Sequence, residues 1–434
     1  MNLLPITFFS AFLPGCTSQD KIEPDRPLDL PEPDSDTSTT DSDTATPDEC
    51  GEDACEGILD ANRLSETTTL CITFDEQAAA ASLTSTAPHL GLSVADYDSD
   101  GAPDIYINNY GTPNQLFRNL GSGQFSDVSL AARLNVGGDT NDVAWNDYDG
   151  DGDLDVLLAS NSGSILYNND DGVFTAPSEP QGIHDAFSGT AAAWIGSDIV
   201  IGTDSGLRYY QHTSGSSSFT LATTASGLVD VGDANAFAAT DSDNDGDDDL
   251  YVANTAGENR FFINNGNGTF ASAEDTMGLT DSDGQASADA SWIDIDATRP
   301  NTLSVCDLDG VNELFVKTGD TYTDQAREIG ISDGGNSMTC PWGTYGPVNS
   351  PAQFIGRWEQ SNLLFLPTLS EDGSVARYQD AAYLLGMDLA DQTVGAKWAD
   401  VNSDGFDDLI AVTFTGSVLL YMNKSHEVQV CNEE

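Results

Sequence analysis

Between Trp145 and Ser160 the chain reads WNDYDGDGDLDVLLAS, and this stretch decides how the rest is read. Asp147, Asp149, Asp151 and Asp155 are spaced by small residues around Gly152, the composition of a tight turn. Val156 to Ala159 then form a short apolar run that reads as a strand. The pattern returns as DYDSDGAPD from Asp96, DSDNDGDDD from Asp241 and DVNSDGFDD from Asp400, each time followed by an apolar run. A turn and a strand that recur in phase belong to a repeat.

Two further elements share that phase. An aromatic followed by a small polar segment, usually ending in Gly-Leu or a relative, stands at Phe74, Phe125, Phe174, Phe219, Phe270, Tyr322 and Tyr378, 45 to 56 residues apart. A short apolar strand precedes most of them, as in QLFRN from Gln115, ILYNN from Ile165, FFINN from Phe261 and LLYMN from Leu419. Each unit of about 50 residues therefore holds four short strands joined by Gly/Asn/Asp turns, with no long helical periodicity. Seven such units predict an all-β, seven-bladed β-propeller of four-stranded blades. An open solenoid would need polar caps, which the ends do not show.

The ends of the array predict a closed ring. Phe74 begins a fourth strand with no first three before it, and the unit starting near Trp398 stops after its third strand. Pairing the two makes one composite blade and leaves no open sheet edge. Cys71 and Cys431 flank this join, so a disulfide between them is one reading, with Cys50 and Cys55 as rival partners. Cys306 with Cys340 would link blades five and six.

The four acidic turns have the chemistry of a hard-cation site. Positions one, three and five of each turn bring oxygen side chains together, glycine at six permits the bend, and the carbonyl at seven and carboxylate at nine complete an oxygen cage. Four carboxyls this close repel strongly unless a cation offsets them, and an all-oxygen set favours Ca²⁺ over zinc or copper. An EF-hand opens the same way, but its glutamate at position twelve is replaced by Ile107, Leu158, Val252 and Ala411, and a β-type run follows instead of a helix.

These units resemble FG-GAP/VCBS repeats, the propeller repeats of integrin α-chain heads and many bacterial surface proteins, over residues 70–431. The resemblance implies about four Ca²⁺ ions in the turns between first and second strands, all on one face. Carried over by position, the ligands are Asp96, Asp98, Asp100 and Asp104; Asp147, Asp149, Asp151 and Asp155; Asp241, Asp243, Asp245 and Asp249; and Asp400, Asn402, Asp404 and Asp408. The carbonyls of Ala102, Asp153, Asp247 and Phe406 join them. Units three, five and six depart from the pattern (IGSDIV from Ile195, Asp294 and Asp296 without the Asp-Gly pair, and nothing recognisable from Thr344 to Phe354) and are expected to hold no metal. It also implies that a protein or glycan ligand meets the opposite face, formed by loops such as Asn108 to Asn114 and Ala253 to Asn259.

Composition narrows the function. The 434 residues carry 72 Asp+Glu against 14 Lys+Arg, a formal charge of −58, which repels nucleic acid and anionic lipid. The apolar start from Met1 to Leu13, running into Leu13-Pro14-Gly15-Cys16, resembles a bacterial lipoprotein signal over residues 1–16, with Cys16 as the acylated residue. Residues 17–49 are Asp, Ser, Thr and Pro and read as a disordered stalk, leaving 50–434 for the propeller. The expectation is an exported outer-membrane or cell-surface protein, or a secreted one, monomeric and touching the membrane only through its lipid. Trp145, Trp194, Trp292 and Trp398 are fixed by the repeat phase and are assigned to blade packing, whereas Trp342 and Trp358 are freer for a surface role. His89, His184, His212 and His426 have no nucleophile signature beside them, and no phosphate loop, HExxH or GxSxG is present. The chain is expected to be a non-enzymatic adhesion module, with a carbohydrate-binding propeller or a polysaccharide-active enzyme as the alternatives.

Overall fold

The computed structural model describes residues 73–424 apart from 86, 177–182, 184–186, 214–217, 230–231, 281–284, 347–349 and 371. Cys16, Cys50, Cys55, Cys71, Cys431, His184, His426 and the segment 17–49 lie outside the described residues, and with them the readings placed there. All described residues belong to the compact unit Cys50–Glu434. No helix among them is long and apolar enough to cross a membrane.

Strand β1 (Phe74–Glu76) is followed by five four-stranded antiparallel sheets in chain order. They are β2 (His89–Ala95), β3 (Asp104–Asn109), β4 (Gln115–Asn119) and β5 (Phe125–Asp127); β6 (Thr140–Asn146), β7 (Asp155–Ser160), β8 (Ile165–Asp170) and β9 (Val173–Thr175); and β10 (Gly189–Ile195), β11 (Asp198–Thr203), β12 (Gly206–His212) and β13 (Phe219–Leu221). Next come β14 (Ala234–Thr240), β15 (Asp249–Asn254), β16 (Arg260–Asn264) and β17 (Phe270–Ser272), then β18 (Ser287–Ile293), β19 (Thr302–Asp307), β20 (Glu313–Thr318) and β21 (Thr321–Asp324). Blade six is built from β22 (Ser337–Thr339), β23 (Trp342–Gly343), β24 (Ala352–Ser361), β25 (Leu363–Leu369) and β26 (Val375–Asp380). Blade seven has β27 (Ala390–Ala399), β28 (Asp408–Thr413) and β29 (Val418–Asn423), and β1 supplies its fourth strand. Phe74 stands opposite Asn423 and Glu76 opposite Tyr421. The composite blade is therefore present.

First strands touch in circular order, and β27 meets β2 to close the ring. A Cβ on Gly395 of β27 would come within 3.0 Å of the Gly91 Cα on β2, so glycine permits that closure. Seven apolar clusters fill the seven seams between adjacent blades. The fourth-strand aromatics Phe74, Phe125, Phe174, Phe219, Phe270, Tyr322 and Tyr378 are all buried in them. Strands β3, β7, β15, β19 and β28 are buried along their whole length, since each second strand faces a blade on both sides. Their unbroken apolar runs have that cause.

The repeat-phase tryptophans reach backwards across the seam. Trp145 Nε1 donates to Ser93 Oγ at 2.9 Å, and Trp194, Trp292 and Trp398 donate to the carbonyls of Ala144, Ala238 and Pro341. Trp342 departs from the expected surface role: it is half-buried in the seam between blades five and six, edge-on to Tyr378 at 5.6 Å. His89 is buried with Nδ1 2.8 Å from Asn109 Oδ1, and His212 is the last residue of β12.

Two irregularities shape the ring. Every blade's first strand carries a one-residue register shift near its start, and residues there tie one blade to the next: Asn141, Thr190 and Asn235 donate to the carbonyls of Gly189, Ala234 and Ala288. Blade six is broken between β22 and β23 at Pro341, which has no N–H to give to a ladder. Its second strand β24 runs on for ten residues, and Trp358 to Ser361 pair with β27, so blades six and seven share one sheet.

Cys306 of β19 and Cys340, just after β22, are joined in a disulfide with Cα atoms 6.1 Å apart. It spans 34 residues of sequence. On the chain-entropy estimate such a loop stabilises by about 3–4 kcal/mol. Reduction, or a Cys306→Ala/Cys340→Ala pair, is expected to lower the denaturant midpoint accordingly; equal midpoints with and without reductant would show that this seam does not depend on the bond.

Candidate metal centres

The four acidic loops adopt one conformation. The carboxylate at position one accepts the backbone N–H groups of positions five and six: Asp96 from Asp100 and Gly101, Asp147 from Asp151 and Gly152, Asp241 from Asp245 and Gly246, and Asp400 from Asp404 and Gly405. The carboxylate at five accepts from seven, as in Asp151 to the Asp153 N–H at 3.0 Å. Positions four and six are left-handed in every loop: Ser99, Gly150, Asn244 and Ser403 at φ 55–78°, and Gly101, Gly152, Gly246 and Gly405 at φ 90–101°. The glycine at six is thus a backbone requirement.

Position nine has a second duty. Asp104, Asp155, Asp249 and Asp408 are buried where the loop enters the second strand. One oxygen of each accepts the N–H of position two, and the other accepts the N–H of an asparagine ending the third strand: Asn119, Asn169, Asn264 or Asn423, at 2.7–2.8 Å. Three of those asparagines also donate Nδ2–H to a carbonyl of the preceding blade: Asn119 to Val401, Asn169 to Tyr97 and Asn423 to Tyr345. QLFRN, ILYNN, FFINN and LLYMN each carry one, and only its distance from the loop in sequence hides the partnership. Burial pushes Asp104, Asp155 and Asp408 up to about 7, against the opposing effect of these hydrogen bonds, and Asp249 is raised for the same reason.

Three loops gather carboxylates tightly enough to hold a metal. Asp96, Asp98 and Asp104 converge, as do Asp147, Asp149 and Asp155, and Asp241, Asp243 and Asp245, with one oxygen of each residue within 4.8 Å of the others. Asp100 and Asp151 stand outside these triads, held to their own turns, and in blade four Asp249 gives its place to Asp245. In the fourth loop Asn402 stands where the others carry a carboxylate, its amide oxygen accepting the Asp404 N–H at 2.9 Å, and the remaining carboxylates are Asp400, Asp404 and Asp408. The donor set is all oxygen, with no nitrogen or sulfur, which suits a hard cation.

The remaining blades lack the loop and engage the carboxylates near this place in other ways. In blade three the turn is only Gly196-Ser197, and Asp198 takes the Tyr209 hydroxyl and the His212 N–H. In blade five Asp296 is paired with Arg299 at 2.6 Å, which holds its carboxyl far below the usual range despite burial. In blade six the Thr344 N–H is bound to Asp407 of the neighbouring loop at 2.7 Å.

A closed ring of seven blades, five of them separate four-stranded sheets, with clustered acidic turns between first and second strands on one face, defines a β-propeller. Within that class the chain carries FG-GAP-like repeats, matched at residues 96–158 and 241–298, and each match opens on position one of an acidic loop. No curated protein sequence matches the chain. Among solved structures, BBS1N in complex with ARL6DN is similar in crystals soaked with lead and with mercury: 11% identity in both, 77% and 78% of this chain and 92% and 93% of that one, TM-score 0.50. Saccharomyces cerevisiae Sqt1 is 10% identical over 83% of this chain and 99% of its own, with a TM-score of 0.47. The likeness to BBS1N is one of fold.

Proposed function

We propose that this is an exported, calcium-stabilised and non-enzymatic propeller that binds a glycan or protein on the face away from the acidic loops. Calcium is favoured by the all-oxygen donors, the loop carbonyls and the flexible turn. Export is supported by the Cys306–Cys340 disulfide and by the lipobox-like start ending at Cys16, which would anchor the chain by a lipid. Against catalysis, the loop carboxylates serve as turn and strand acceptors rather than as an opposed pair across a cleft.

The observation that carries the binding role is an aromatic group on the opposite face. Tyr110 and Phe414 follow the second strands of blades one and seven, and Trp358 stands on the extension of β24. Their rings lie 5.9 and 5.5 Å apart around Phe414, all three half-buried. Beside them Glu359 has a left-handed φ of 55° at a register shift, the kind of backbone strain that gathers at functional sites. Gln392, bonded to Glu359 at 2.9 Å, and Asp391 add polar groups at the rim. Aromatic rings bordered by amide and carboxylate groups favour the glycan reading within this proposal.

The test is a glycan array followed by titration of the strongest hit against the wild type and Trp358→Ala. A central tryptophan is worth about 2 kcal/mol or more, so a loss of at least roughly thirtyfold is expected. Hits that bind the variant equally well would move the ligand site away from this face.

A further inference from the structure

One difference among the four loops is a side-chain cation set on two of the expected ligands. Arg118 of β4 lies over the first loop, with Nε 2.6 Å from Asp98 and Nη2 2.8 Å from Asp100. These carboxylates stand at positions three and five, two of the expected ligands. The register is fixed by the neighbouring Asn119, whose N–H binds Asp104. At the same register the other three blades carry Asn168, Ile263 and Met422, none of them charged. Asn168 gives Asp149 a neutral hydrogen bond at 2.9 Å and brings no charge.

Blade five shows what a guanidinium does at this place in the fold. Its turn has lost the Asp-Gly pair, and Arg299 holds Asp296, the counterpart of Asp98. Arginine there takes over the compensation that a cation would supply. In blade one the complete loop and the arginine coexist. A planar fork suits two carboxylates, so Arg118 is a resident counter-charge. A divalent ion entering that loop must break both ion pairs or bind beside a positive charge.

We infer that Arg118 makes the first loop a weak calcium site, so that the chain fills the loops of blades two, four and seven before that of blade one. The inference rests on the calcium reading of the loops. Its test is calorimetric titration of the full chain with calcium alone, for the wild type, Arg118→Ala and Arg118→Asn, the last carrying the residue of blade two. The wild type is expected to take up three ions, with a fourth only at much higher calcium. Both variants are expected to take up four, the affinity of the added site rising on the order of tenfold. Adding Asp98→Ala to either variant, which takes a carboxylate out of the loop-one triad, is expected to remove that fourth ion and so assigns it to loop one. Four equal sites in the wild type, or variants that leave the stoichiometry and affinities unchanged, overturn the inference and keep the calcium reading. No uptake in any of the proteins overturns both.

Discussion

Chelation of calcium is expected to lower the melting temperature of this protein by about 10 °C or more. A ligand present at about 100 times its Kd stabilises the folded state by roughly 2.7 kcal/mol per site. Three filled loops then contribute on the order of 8 kcal/mol, comparable with the whole stability of an ordinary domain. In a chain of this size each kcal/mol moves the midpoint by about 2 °C. Among the described residues, the ion pairs of the fold involve none of the triad carboxylates of blades two and four, whose charge is met only by hydrogen bonds. Substituting Asp245 or Asp151 by Ala is expected to remove one ion each. Both hold the N–H of position seven and shape their turns, so loss of either acts through loop geometry, and Asp245 belongs to its triad besides. An ion count that neither substitution changes would show that the ligands have been misassigned.

The pH dependence of the calcium-free protein follows from the buried position-nine carboxylates. Asp104, Asp155 and Asp408 are raised from 3.8 to about 7 by burial, so the folded state binds protons that the unfolded state has released. Their contribution is complete below the unfolded value and is lost as pH rises through the folded one. Melting in chelator is therefore expected to weaken between about pH 4 and pH 7, and saturating calcium to flatten that fall at its upper end.

The blades were legible in the sequence because the physics that sets them is local. A buried second strand needs an apolar run, a fourth-strand aromatic fills a seam, and an Asp/Gly turn joins the first two strands. Those three signals locate the first, second and fourth strands within a residue or two in most units. What was not legible depends on neighbours in space. Arg118 lies 18 residues beyond Asp100, and the bond appears only once β4 is laid beside the loop. The double role of Asp104 and its counterparts depends on an asparagine 14 or 15 residues away. The register shift in each first strand has no composition of its own, because one skipped residue leaves short apolar alternation readable on either side. Pro341 and the ten-residue β24 hide the sixth blade for a related reason: half of that strand pairs with the seventh.

Loss of the N-terminal strand is expected to be the most damaging change outside the loops, since β1 is the part of the ring that chain order supplies last in space and first in sequence. Phe74 is buried between blades six and seven, with its ring edge-on to Trp398 at 6.0 Å. The backbone around it exchanges bonds with β29, from Gln77 N–H to the Leu420 carbonyl at 2.7 Å and from Lys424 N–H to Thr73 at 2.9 Å. Beyond the strand, Ala78, Ala81 and Leu83 enter the seam between blades seven and one, and the Ala81 carbonyl takes the Phe125 N–H at 2.9 Å. This segment therefore serves two seams. Phe74→Ala is expected to cost about 3–5 kcal/mol, as for other buried phenylalanines. Phe125→Ala, in a blade made from continuous chain, is the matched control. The costs should be similar, and the consequences should differ. Opening β1 uncovers the Val418–Asn423 edge, whose unpaired N–H and C=O groups can add a strand from another molecule. Removing residues 1–85 is thus expected to give concentration-dependent association as well as a lower melting temperature, both relieved by a peptide spanning residues 72–85. A truncated chain that stays monomeric with an unchanged melting temperature would mean that the ring does not depend on this strand for closure.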